Sequence, residues 1–176
     1  MEVKGAAVLY TLAGTMITFA GFSTLLLTIR PAVGARLSVL DRYLAKTVMT
    51  HIFVLTGAAL LPVLLALFDI PEPSIWRIAS VLFALPMLSL QVTYPYRRRK
   101  AIGIPVPRAI FAVFVVLGAL VTLAMLGCVL GGFPYSAGAY ISAVTIDFFT
   151  VAFAFVVALE VIMRQPMEAS KRPTRR

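Results

Sequence analysis

The sequence predicts an all-α integral membrane protein: one bundle of five transmembrane helices, N-terminus outside and C-terminus cytoplasmic. Three observations predict it. The chain is too apolar for water, it contains five apolar runs of bilayer-spanning length, and its basic residues fall on alternate connections. Of its 176 residues, 61% are apolar and 13% charged, and the mean hydropathy is +0.97. A soluble domain is about 45–50% apolar and about 25% charged, so this much apolar surface cannot be hidden within so short a chain. The same composition excludes disorder and a disulfide scaffold. With Cys128 as its single cysteine, the chain forms no internal bridge, and no Cys/His cluster marks a metal site.

A hydrocarbon core about 30 Å thick needs roughly 20 apolar residues of helix, at about 1.5 Å of rise each. Runs of that kind occupy 6–29, 47–68, 75–96, 109–131 and 139–163. Helices follow because backbone polar groups find no water in lipid; the runs are too long and too uniform for barrel strands. They form one domain, 1–163, followed by a basic tail, 164–176, rich in Pro, Ser, Lys and Arg and expected to be disordered.

The first run ends at the cluster beginning with Arg30 and is too long for the hydrophobic region of a signal peptide, so it is read as an anchor. The second is preceded by Ser38-Val39-Leu40-Asp41, a helix-start signature with Ser38 as N-cap and Asp41 three residues on. Pro62 in the second run and Pro86 in the third each remove a backbone donor and are expected to kink their helices. In the fourth, Gly127 and Gly131 form a GxxxG pair suited to close packing.

Charge fixes the expected orientation. Segments 30–46, 97–108 and 164–176 hold fourteen of the sixteen basic residues; only Lys4 and Arg77 fall on the other side. The positive-inside rule places the basic connections in the cytoplasm and the protein in the cell (inner or plasma) membrane. Tyr10, Trp76, Tyr135 and Tyr140 fall near the outer interface, and Tyr43, Tyr94 and Tyr96 near the inner one, where amphipathic rings are favoured. The net charge of +9 is explained by topology, so nucleic acid is not expected as a partner. Anionic inner-leaflet lipids are, with Arg97, Arg98, Arg99 and Lys100 as headgroup contacts.

No catalytic motif is present: no phosphate loop, no H-E-x-x-H, no G-x-S-x-G. Asp147 and Glu160 are thirteen residues apart on one helix, about 20 Å, too far for joint acid–base work. No enzyme activity, metal or cofactor is expected. Asp147 is the most informative residue, because a carboxylate inside a span costs about 2.5–3.5 kcal/mol on insertion scales. With Thr150 on its face and Arg77 as an outer-half cation, it forms a candidate intramembrane polar site. Ala143, Asp147, Thr150, Ala154 and Ala158 share one small and polar stripe, which suggests that Asp147 faces protein; Phe148, Phe149, Phe153 and Phe155 fall on other faces. Near the inner surface, His51 and Glu160 form a candidate titrating pair that could gate or relay protons, with Gln91 at similar depth. Thr11, Gly14, Thr18, Gly21 and Thr28 form a stripe on the first span, suited either to helix packing or to lining a pore.

These features lead to two expectations of different kinds. One is a homo-oligomeric ion or solute channel or transporter using an intramembrane carboxylate. The other is a non-catalytic subunit, assembly factor or scaffold bound to another membrane protein through its small-residue stripes.

Overall fold

A computed structural model describes residues 3–32, 38–103, 108–133 and 136–164. It contains five helices: α1 (Ala6–Ala32), α2 (Val39–Ala66), α3 (Glu72–Ile102), α4 (Arg108–Leu130) and α5 (Ser136–Arg164). All five are long and apolar enough to cross a bilayer. The outer surface agrees: Phe53, Leu85, Leu123, Phe149 and Phe153 stand 61–71% exposed, a girdle of large apolar side chains that water would not tolerate. The chain is a polytopic membrane protein with five candidate spans. Of the tail expected to be disordered, Arg164 is the last residue of α5, and 165–176 lie outside the described residues.

Several helices outrun the apolar runs that announce them. Hydropathy marks what lipid accepts, whereas the helix continues as long as its hydrogen bonds and caps allow. α2 starts at Val39 because Ser38 and Asp41 form a reciprocal capping box: Ser38 Oγ accepts from the Asp41 N–H at 3.1 Å, and Asp41 Oδ2 accepts from the Ser38 N–H at 2.9 Å. α3 runs through its basic cluster to Gly103, a left-handed cap (φ 71°) whose N–H donates to the Arg99 carbonyl at 2.9 Å. α4 ends in a Schellman turn. Gly131 (φ 71°) donates to the Cys128 carbonyl at 3.3 Å, and Gly132 to that of Gly127 at 2.9 Å. The GxxxG pair is therefore explained locally. Gly131 supplies the left-handed residue, and Gly127 leaves room for the Phe133 ring, which a Cβ there would strike.

Helices α2, α3, α4 and α5 form a ring in which each packs on the next and α5 returns to α2. Among the described residues α2 and α4 do not touch, and α3 meets α5 over a short stretch only. α1 lies outside the ring against α2, with a smaller contact to α5. There Phe19 meets Phe148 and Phe155 edge to face, at 5.7 and 5.3 Å between ring centroids. Phe148 and Phe155 are thus core residues, while Phe149 and Phe153 face outward as their helical phase predicts.

One end of the ring is filled. Trp76, Phe83 and Tyr140 are buried there, with Tyr140 5.6 Å from the Trp76 ring and 6.2 Å from that of Phe83. Trp76 and Tyr140, expected at a membrane interface from their sequence positions, instead turn into the bundle. Pro62 explains part of this. It lies inside α2 and has no N–H for the Ala58 carbonyl one turn earlier. The Tyr140 hydroxyl supplies the missing donor from α5, at 2.8 Å and fully buried.

Candidate functional site

At the other end the ring does not close, and a cavity of about 610 Å³ remains. The walls are Leu44–His51 of α2 and Leu88–Pro95 of α3, in the halves of those helices nearer a basic connection, Phe111–Leu123 of α4, from near its basic end to just past its middle, and Asp147–Ala154 at the middle of α5. The aromatic plug of Trp76, Phe83 and Tyr140 lies farther along α3 and α5, towards the opposite end. Leu88, His51, Leu123 and Asp147 are the deepest lining residues from that basic end on their respective helices. Most of the lining is aliphatic or aromatic, as in small-molecule sites generally, and the volume falls within their usual range of about 300–1,000 Å³.

Asp147 is 5% exposed, and its Oδ2 is fully buried without a hydrogen-bond partner. A buried polar atom left unpaired is costly and rare. Thr150, one turn further along α5, shares the cavity wall. Its hydroxyl donates to the Ile146 carbonyl at 2.8 Å; likewise Thr47 donates to Tyr43 at 2.9 Å and Thr122 to Gly118 at 2.8 Å. With their protons committed to their own helices, these oxygens can only accept, and none can satisfy Asp147 as a donor. His51 Nδ1 lies 2.7 Å from the Thr47 carbonyl, one turn back on its own helix. Gln91 also lines the cavity, and its amide rests against α4 at Gly118, where a Cβ would come within 2.5 Å of Oε1.

The structure thus brings together Asp147, Thr150, His51 and Gln91, which the sequence distributed between an outer and an inner site. It places Arg77 elsewhere: this residue is exposed, and its Nη2 lies 2.8 Å from where a Cβ on Gly131 would stand, at the end of α4. Glu160 belongs to α5, but its side chain is outside the described residues, so the His51–Glu160 pair falls outside them too. The α1 stripe faces away from the bundle. Thr11, Gly14, Thr18, Gly21 and Thr28 are all exposed, and a Cβ on Gly14 or Gly21 would meet nothing within 4 Å. Its hydroxyls bond their own helix, Thr11 to Ala7, Thr18 to Gly14 and Thr28 to Leu25, each at 2.9 Å.

The basic cluster stands at the cavity's end of α3 and splits in two. Arg97 Nη2 reaches back to the Leu90 carbonyl at 3.3 Å, and Arg98 Nη1 to the Tyr94 hydroxyl at 3.4 Å. Arg99 and Lys100 are exposed. Tyr94 itself lines the cavity, with its ring 6.5 Å from that of Phe114 and 6.3 Å from that of Tyr43.

Gly118 carried no weight in the sequence, although a lone glycine in an otherwise bulky run is a signal of close approach. The Pro62–Tyr140 link is not visible in the sequence, because proline announces an orphaned carbonyl but not which neighbour will serve it. No protein-family model, curated protein or solved structure matches the chain.

Proposed function

We propose that the chain is a membrane carrier that binds its solute inside its own helical ring, with Asp147 as the polar contact. The observation that carries this reading is the unpartnered Asp147 oxygen in the wall of a 610 Å³ cavity. A structural role for the carboxylate would have left it paired with a neighbouring helix. Intramembrane carboxylates facing a cavity are the usual marks of substrate and ion pathways. The site lies within one chain, so no axial pore between copies is needed. In this reading the basic connections face the cytoplasm, the N-terminus is outside, and the cavity opens inward from the plasma or inner membrane. The outward α1 face, small and unoccupied at Gly14 and Gly21, favours association of the carrier with a second copy or another membrane protein.

The test is sidedness of access. Asp147→Cys, in a background in which Cys128 is replaced by Ala, is reconstituted in vesicles of known orientation. It is then treated from either face with a cationic, membrane-impermeant methanethiosulfonate. A carrier exposes the introduced thiol to each face in turn, so it reacts from both. A scaffold with a fixed cavity lets it react from the inner face at most.

A further inference from the structure

The geometry points to the solute class: an apolar organic cation, held by its charge at Asp147 and by its body against the walls of the ring. This rests on the carrier reading and deepens it.

The cavity's chemistry excludes the other occupants in turn. An inorganic cation gives up most of its water on entering such a site and must be repaid by about six or more oxygen ligands. Leu88, Val92, Phe111, Val115 and Leu123 offer none. The threonine hydroxyls are spread over three helices, each tied to its own backbone. An anion would meet a carboxyl at the deepest level; Arg97 and Arg98 stay outside the described lining, held on the Leu90 carbonyl and the Tyr94 hydroxyl, so that lining offers no cation to balance it. A purely apolar molecule would fill the walls but leave Asp147 Oδ2 unpaired. An organic cation satisfies both demands, burying apolar surface along the wall and bringing positive charge to the oxygen. The Tyr94 and Phe114 rings, 6.5 Å apart in the same wall, add faces on which a cation is stabilised on its way in.

Proton and solute then compete for one group. A buried carboxylate must be neutralised, either by a proton or by a cation, so the cation binds more weakly as the pH falls. The titratable groups that share the cavity lining with Asp147 are His51 from α2 and Tyr94 from α3, with the fixed charge of Arg97 from α3 acting on His51; the described lining of α4 contributes none. A protonated His51 would also repel a cation, so the two contributions have to be separated by substitution.

The probe is tetraphenylphosphonium, which has no titratable proton, measured by calorimetry on the full chain in nanodiscs; tetraphenylborate is the control of like shape and opposite charge. The wild type is expected to bind the cation and not the borate, more weakly as the pH falls. Asp147→Asn is expected to bind about 30-fold more weakly or worse, the usual result of removing one partner of a buried charge pair, and to lose the pH dependence. Asp147→Glu restores binding in part, which guards against a simple folding defect, and His51→Gln keeps the pH dependence. Equal affinity in Asp147→Asn, equal affinity for the borate, or no binding by folded wild type overturns the assignment. The introduced thiol separates the two levels of the argument. If it reacts from both faces while the cation does not bind, the solute class is wrong and the carrier stands; if it reacts from one face only or from neither, the carrier fails whatever binds.

Discussion

Replacing Tyr140 by Phe removes one oxygen and leaves the ring, so its packing on Trp76 and Phe83 is kept. What is lost is the donor to the Ala58 carbonyl at 2.8 Å. In an ordinary helix that carbonyl would keep its N–H from four residues on, and the loss would be small. Here the residue four on is Pro62, so the carbonyl becomes a buried acceptor without a donor. Such an orphan costs about 1–3 kcal/mol, while hydrogen bonds between membrane helices average about 0.6 and reach about 1.7 kcal/mol. A loss of about 1–2 kcal/mol is expected. Pro62→Ala returns a backbone N–H to the same carbonyl, so Tyr140→Phe in that background should cost less than about half as much. Reversible unfolding in mixed micelles with increasing dodecyl sulfate, followed by circular dichroism, measures the four corners of the cycle. Any change due to Pro62→Ala alone cancels. Equal cost in both backgrounds would refute the reasoning and reduce Tyr140 to a packing residue.

Other substitutions test separate parts of the account. Ser38→Ala should cost about 1 kcal/mol by opening the α2 capping box, read in the same unfolding assay. Gly131→Ala should cost about 1–2 kcal/mol, because its φ of 71° disfavours a Cβ and the Arg77 guanidinium occupies the space. Gly118→Leu should leave the fold intact, since the flexible Gln91 amide it displaces can move, yet weaken tetraphenylphosphonium binding about tenfold or more by filling the cavity. Gly14→Leu combined with Gly21→Leu should not alter the stability of the single chain, where nothing lies within 4 Å of either position. If copies associate through α1, the pair of changes dissociates them in native mass spectrometry.

The five helices were legible because lipid imposes a length and a uniform polarity that composition displays directly. The α2 start was legible for a different reason: Ser38 and Asp41 act on each other across three residues, so the sequence contains both partners. The site was only half legible. Asp147 announces itself by cost, and the small stripe around it correctly predicted that it faces protein. Its partners depend on which helices are neighbours and how far each extends. Because α2 begins at Val39, His51 lies about three turns inside its helix. It lines the same cavity as Asp147, from the opposite side of the α2–α5 contact. Arg77 fitted Asp147 by charge alone and went instead to the end of α4, since nothing in a sequence fixes where a long side chain will reach. Trp76 and Tyr140 misled for the opposite reason. Their depth near a helix end matched an interfacial belt, but rotation about the helix axis turned them inward.

The central claim is that the ring of α2 to α5 holds a solute against Asp147. The most direct measurement is the position of a heavy atom: crystals of the protein grown with tetraphenylarsonium, with the arsenic located by its anomalous scattering. The account predicts a peak inside the ring, within about 6 Å of the Asp147 carboxylate, the range over which opposite charges act strongly on one another, and its disappearance in Asp147→Asn. A peak confined to the outer face of α1, or one that persists unchanged in Asp147→Asn, would contradict it.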